Sequence, residues 1–121
     1  MVSDDGQPRP LPRAAWAPLP RAGCVGVEGK VLLHQATLVL ALLRFAPHGT
    51  IDAHAAPFAV DVVCLEGSGY QRVGDTETPL RAGEGVRWPA GQVHRLWSGG
   101  EPLLTLMVEH RGPPPVAGAT G

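Results

Sequence analysis

Apolar positions along the chain fall in short runs cut by glycine and proline, and none keeps the three-to-four spacing of an amphipathic helix. The runs at 31–34, 37–45, 58–65, 70–73, 76–80, 93–97 and 103–109 read as strands. The run 37–45 is continuous enough to pass for a helix, and Pro47-His48-Gly49 is expected to close it. Glu66-Gly67-Ser68-Gly69 is expected to end the run before it, and Gly74-Asp75 to make a hairpin turn. In 93–97 the alternation places His94, Leu96 and Ser98 on one face. No internal repeat is present. Many short strands with many turns predict an all-β sandwich or barrel.

The ends differ from the middle. Residues 1–22 carry Pro8, Pro10, Pro12, Pro18 and Pro20, so an extended arm or disordered leader is expected there. Trp16 within it is expected to pack on its own domain or on a partner subunit. The tail 112–121, with Pro113-Pro114-Pro115, reads as disordered, which leaves 23–111 as one β-domain. A length of 121 residues suits a single core. The formal charge is −1 with one lysine, and no basic cluster offers a nucleic-acid footprint. No apolar run reaches membrane-spanning length, and no signal-peptide pattern opens the chain. Cys24 and Cys64 have no metal-ligand spacing, and buried thiols in a reducing cytoplasm are expected.

The chemistry concentrates after residue 83. Gly83 and Gly85 frame a tight turn, Pro89-Ala90-Gly91 makes a second, and His94 opens a strand just beyond it. The order Gly83-x5-Pro89-x-Gly91-x2-His94-x3-Ser98 resembles the second signature motif of the cupin family, with Ser98 in the asparagine place. The first cupin motif has a degenerate counterpart: His54 falls on its first histidine, Ala56 on the second, and Val60 on its glutamate, with Asp61 one residue late. The resemblance covers roughly 44–109. Trp16, residues 26–32 and residues 43–47 are also similar to the lead-in of anti-sigma-factor-type and acetylacetone-cleaving cupins. It implies a cupin-type double-stranded β-helix, or jelly-roll, barrel with an extended Pro-rich N-terminal arm.

The broken ligand set governs what the resemblance implies about function. His54 and His94 alone hold a divalent ion poorly, because metal sites of this kind use three protein donors. A third would come from Asp52, Asp61, His48 or Cys64. Strand alternation turns Asp61 away from the His54 face unless a bulge at Pro57 rotates it. Each has a plainer explanation: His48 as an exposed turn residue, Asp52 bonding local backbone, Asp61 a solvated carboxylate, Cys64 core. Tyr70 reads as a wall residue, and His34 and His110 match no motif.

Three functional readings follow, and whether the chain is an enzyme stays open among them. In the first, the barrel binds a small organic molecule among His54, Val60, Val62, Cys64, Val86, Trp88, His94 and Leu96, with His54 and His94 doing acid–base work without metal. In the second, a metalloenzyme of dioxygenase, isomerase or lyase type uses a rebuilt ligand set around one divalent ion such as Zn, Fe, Mn or Ni. In the third, the chain is a non-enzymatic ligand sensor or accessory module. The expected partner is a second copy, through the Trp16 arm and the outward positions Val63 and Leu65.

Overall fold

A computed structural model describes residues 5–112. The glycine and proline punctuation leaves no room for a helix, and the described residues contain none. They form seven strands: β1 (Arg13–Pro18), β2 (Cys24–His34), β3 (Leu38–Ala55), β4 (Ala59–Val73), β5 (Thr76–Arg81), β6 (Gly85–Trp88) and β7 (Val93–His110). All pairings are antiparallel, in the order β1-β2-β3-β7-β4-β5, with β6 added to β4.

Three of the strands are long because they bend rather than stop. β3 pairs with β7 as far as Phe45↔Leu103, slips, and resumes at Thr50↔Trp97. β4 slips against β7 between Cys64 and Gly69. The bends fold one continuous sheet over on itself. A first half-sheet is built from β1, β2 from Val27 onward, the early parts of β3 and β4, β6 and the late part of β7. A second half-sheet is built from the late parts of β3 and β4, β5 and the early part of β7. The inward positions of both halves make one core, in which Phe45, Val62, Leu96 and Leu103 are almost fully buried.

Two expectations are corrected here. Pro47-His48-Gly49 does not end β3, and Glu66-Gly67-Ser68-Gly69 does not end β4; both are bends within strands. At the first, His48 takes a left-handed backbone (φ 59°) and Gly49 passes so close to Gly26 that a Cβ would sit 2.7 Å from its carbonyl oxygen. Ser98 holds this bend closed: its Oγ accepts from the Gly49 N–H at 2.9 Å and donates to the Ala46 carbonyl at 2.5 Å. The strand therefore continues because a side chain from β7 satisfies the backbone groups that proline and the slip leave unpaired.

Part of the N-terminal arm is ordered strand. β1 pairs with β2 through Arg13↔Val31 and Ala17↔Gly29, and Trp16 lies on its own sheet with Arg44 and Lys30 over its ring. Gly74-Asp75 forms the two-residue hairpin turn, with Gly74 at φ 57° and Val73 facing Thr76. The expected disorder of the tail falls largely on 113–121, outside the described residues.

Candidate functional site

His54 and His94 are cross-strand partners at the end of the second half-sheet. Their pairing depends on another slip. Ile51 faces Leu96 and His54 faces His94, so three residues of β3 span two of β7. This bulge lets Ile51 and His54 share the inward face although they are an odd number of residues apart. The Pro89-Ala90-Gly91 turn, with Gly91 at φ 79°, delivers His94 to the opposite position.

The two Nε2 atoms lie 3.1 Å apart, with the rings edge to face at 4.4 Å between centroids. His94 is 1% exposed and stacks on Trp88 at 4.0 Å, while His54 is half-buried and opens outward. Trp88 is braced in turn: its Nε1–H donates to Gln71 Oε1 at 3.0 Å, and Gln71 Nε2 donates to Thr78 Oγ1 at 2.8 Å. This brace is absent from the sequence analysis, although Gln71 sits at an inward position of an alternating strand. Burial pushes the His94 imidazole down to about 4, helped by the neighbouring His54. The Gln92 backbone favours the protonated ring but is outweighed, and Nδ1 of His94 has no well-formed hydrogen bond.

The Asp52 carbonyl constrains the tautomer of His54. Nδ1 of His54 lies 2.9 Å from the Asp52 carbonyl, which can only accept, so Nδ1 carries the proton. For two neutral rings, Nε2 of His54 is then the acceptor and Nε2–H of His94 the donor. The pair thus presents one basic nitrogen and one N–H side by side.

The other proposed lining residues are packed, not open. Val60, Val62, Cys64, Trp88 and Leu96 belong to the core cluster, each no more than 4% exposed, with Val86 packed against it. Their positions are inward as the alternation implies, but adjoining side chains fill the space between them. A molecule arriving from outside therefore meets His54 and not these residues. A groove of about 870 Å³ lies elsewhere, lined by Trp16, Glu28, Arg44, Glu66, Glu101 and Leu103 among others, and contains neither histidine. Its Arg44 and Glu28 are occupied with each other at 2.7 Å, so volume and chemistry do not coincide in this chain.

The four candidates for a third metal donor are not brought to the pair. Asp61 is turned to the outer face: β4 runs in unbroken register with β7 from Ala59 to Cys64, so no bulge at Pro57 rotates it. Its carboxylate takes a bidentate contact from Arg87 (2.8 and 2.6 Å) and one from His110 at 2.7 Å; the hydrogen bonds from Arg87 hold it down at about 2. This gives His110, which matches no motif, a defined structural place. His48 is exposed in the β3 bend. The Asp52 side chain accepts from Thr50 Oγ1. Cys64 points its thiol at the carbonyls of Glu66 and Gly67, and burial pushes it up. Among the described residues no three His, Cys, Asp or Glu side chains gather as a metal site. The 3.1 Å spacing is close to the roughly 3.3 Å that two nitrogens on one tetrahedral zinc would show. The donor set nevertheless stops at two imidazoles, with Ala56 and Val60 where further donors would stand, and it does not fit a resident metal.

Known proteins agree with this architecture. The family described as "Cupin domain" matches residues 41–109. The polyketide cyclase RemF of Streptomyces resistomycificus is similar in structure, at TM-score 0.75 and 20% identity over 90% of this chain and 83% of that one. Rru_A2000 of Rhodospirillum rubrum, a cupin-2 domain, matches at TM-score 0.75 and 19% identity, covering 90% of this chain and 77% of that one. KdgF from Halomonas sp. matches at TM-score 0.70 and 13% identity, covering 82% and 87% respectively. No curated protein matches the sequence. With the family spanning more than half of the chain, and a jelly-roll barrel of the cupin type built around both motif histidines, this protein belongs to the cupin domain family.

Proposed function

We propose that this cupin binds a small organic molecule at His54 and transfers a proton with the His54–His94 pair, without a resident metal. The observation that carries the reading is the 3.1 Å contact between the Nε2 atoms of a half-exposed and a buried imidazole. A ligand that opens this contact meets the lone pair on Nε2 of His54 as base. It meets the Nε2–H of His94 as a donor to a carbonyl or hydroxyl oxygen. Proton removal beside a carbonyl needs that combination: a base for the proton and a donor for the charge developing on oxygen. The low value of His94 suits the donor role, since its ring stays neutral at pH 7.

The fold likeness to a polyketide cyclase and to KdgF assigns no substrate at these identities. The test therefore reads the chemistry. A panel of small hydroxy-ketones and 1,3-diketones is incubated in D2O with a chelator present, and exchange at the α-carbon is followed by NMR. The expected result is exchange above background for the wild type and loss of that excess in His54→Gln. Equal rates in both proteins would remove His54 from the chemistry.

The cellular setting and assembly belong to the same proposal. Cys24 and Cys64 are both free thiols, which suits a reducing cytoplasm. The outer face of the first half-sheet carries a central apolar row beside the Asp61–Arg87 pair: Leu42 and Val63 both face Leu106, and Leu40 faces Val108. Such a face fits a second copy of the chain, with Trp16 kept on its own sheet.

A further inference from the structure

The outer face of the second half-sheet holds an arrangement that the histidine pair does not use. Arg72 of β4 and Arg95 of β7 are direct cross-strand partners. Like charges placed opposite each other destabilise a sheet. Neither guanidinium forms an ion pair among the described residues, and Glu77, the cross-strand neighbour of Arg72 on β5, makes none with it. Arg95 is held in place: its guanidinium lies 4.3 Å over the Trp97 ring and its Nη2 donates to Thr50 Oγ1 at 3.3 Å. Trp97 stacks in turn on Tyr70 at 5.8 Å. Arg72 has no comparable hold.

Both arginines also bury an Nε–H with no hydrogen-bond partner. Buried donors are nearly always satisfied, and an orphan on a cation costs more than one on a neutral group. Two such orphans on facing arginines make an electropositive spot that is partly shielded from water and lacks its counter-charge.

We propose that Arg72 and Arg95 form a site for the oxyanion of a small molecule, a carboxylate or a phosphate group, taken between the two guanidiniums beside the Trp97–Tyr70 stack. A guanidinium presents paired N–H groups that match either oxyanion. The anion offsets the repulsion across the strands and gives Arg72 a partner, while the fixed Arg95 sets the position. Successive residues of a strand point to opposite faces, so Arg95 faces outward where His94 faces in. The site is thus separate from the imidazole pair, and losing one leaves the other standing.

The test compares wild type with Arg72→Gln in sodium chloride, in phosphate and in acetate at matched ionic strength, by thermal unfolding and by calorimetric titration. The expected result is a saturable rise in melting temperature with phosphate or acetate that disappears in Arg72→Gln. In chloride alone, Arg72→Gln should melt higher than wild type, because the opposed charges are gone. A response to phosphate only assigns a phosphoryl ligand, and a response to acetate only a carboxylate. Phosphate also stabilises proteins generically, without saturation, so the difference between the two proteins is the readout. Arg72→Lys, which keeps the charge and loses the fork, should retain the low melting temperature in chloride and bind the anion more weakly. Equal anion responses in wild type and Arg72→Gln would overturn the proposal, whatever the variant's melting temperature in chloride.

Discussion

At the scale of single residues, His94 links packing to chemistry. Its ring is buried against Trp88, and its value falls from the ordinary 6.5 to about 4. Above pH 6.5 neither the folded nor the unfolded chain protonates this ring, and its contribution to stability does not change. Between 6.5 and 4 the unfolded chain takes up the proton and the folded one does not, so stability falls as the pH falls. The loss through this window is at most roughly 3 kcal/mol. His94→Gln is expected to flatten the stability profile between pH 6.5 and 4, as measured by urea unfolding at a series of pH values. Asp61 acts in a separate window. Its carboxylate is held at about 2 by Arg87, so its contribution is intact above the ordinary carboxylate range and fades as the pH drops toward 2. Asp61→Asn should remove that lower step alone. The sequence already pointed to both places: the second motif marked His94, and period-two alternation put Asp61 outside. The Gln71–Trp88 brace was not legible, because nothing in a one-dimensional pattern says which inward side chains meet across strands.

At the scale of elements, the bends decide the shape. Ser98 closes the β3 bend by serving Gly49 and Ala46 at once. Ser98→Ala leaves a buried N–H and a carbonyl without partners and is expected to cost about 1–3 kcal/mol, read from the urea midpoint. Ser98→Thr keeps the hydroxyl and should recover part of it. Gly67 is the counterpart in β4, at φ 75°, where a Cβ would overlap the Pro102 carbonyl. Gly67→Ala is expected to destabilise by more than about 3 kcal/mol, since both backbone and neighbour must shift. The hairpin at Gly74-Asp75 and the turn at Gly91 were legible because their glycines act locally. The two bends were not. Glycine and proline there look like strand ends, and only the pairing of β7 with both halves shows that the strands run on.

At the scale of the molecule, the Gly83–Ser98 motif was sufficient to place the chain in a cupin barrel, and the described strands and the family match agree. The interior behaves differently from the pocket that the inward positions suggest. Alternation identifies which side chains face in, but whether they enclose space or fill it depends on their volumes, and Trp88 fills it. The proposed self-association would use the outer aliphatic rows. Leu42→Glu combined with Leu106→Glu is expected to halve the mass seen by light scattering while the barrel remains folded; an unchanged mass would exclude this face. The proposed proton transfer rests on the imidazole pair, and histidine-ring 15N NMR followed from pH 8 to below 4 tests it most directly. The His94 ring is expected to stay neutral until about pH 4, with Nδ1 bare and Nε2–H bonded to His54, a signature lost in His54→Gln. A His94 ring that titrates near 6.5, or that carries its proton on Nδ1 at pH 7, would contradict it.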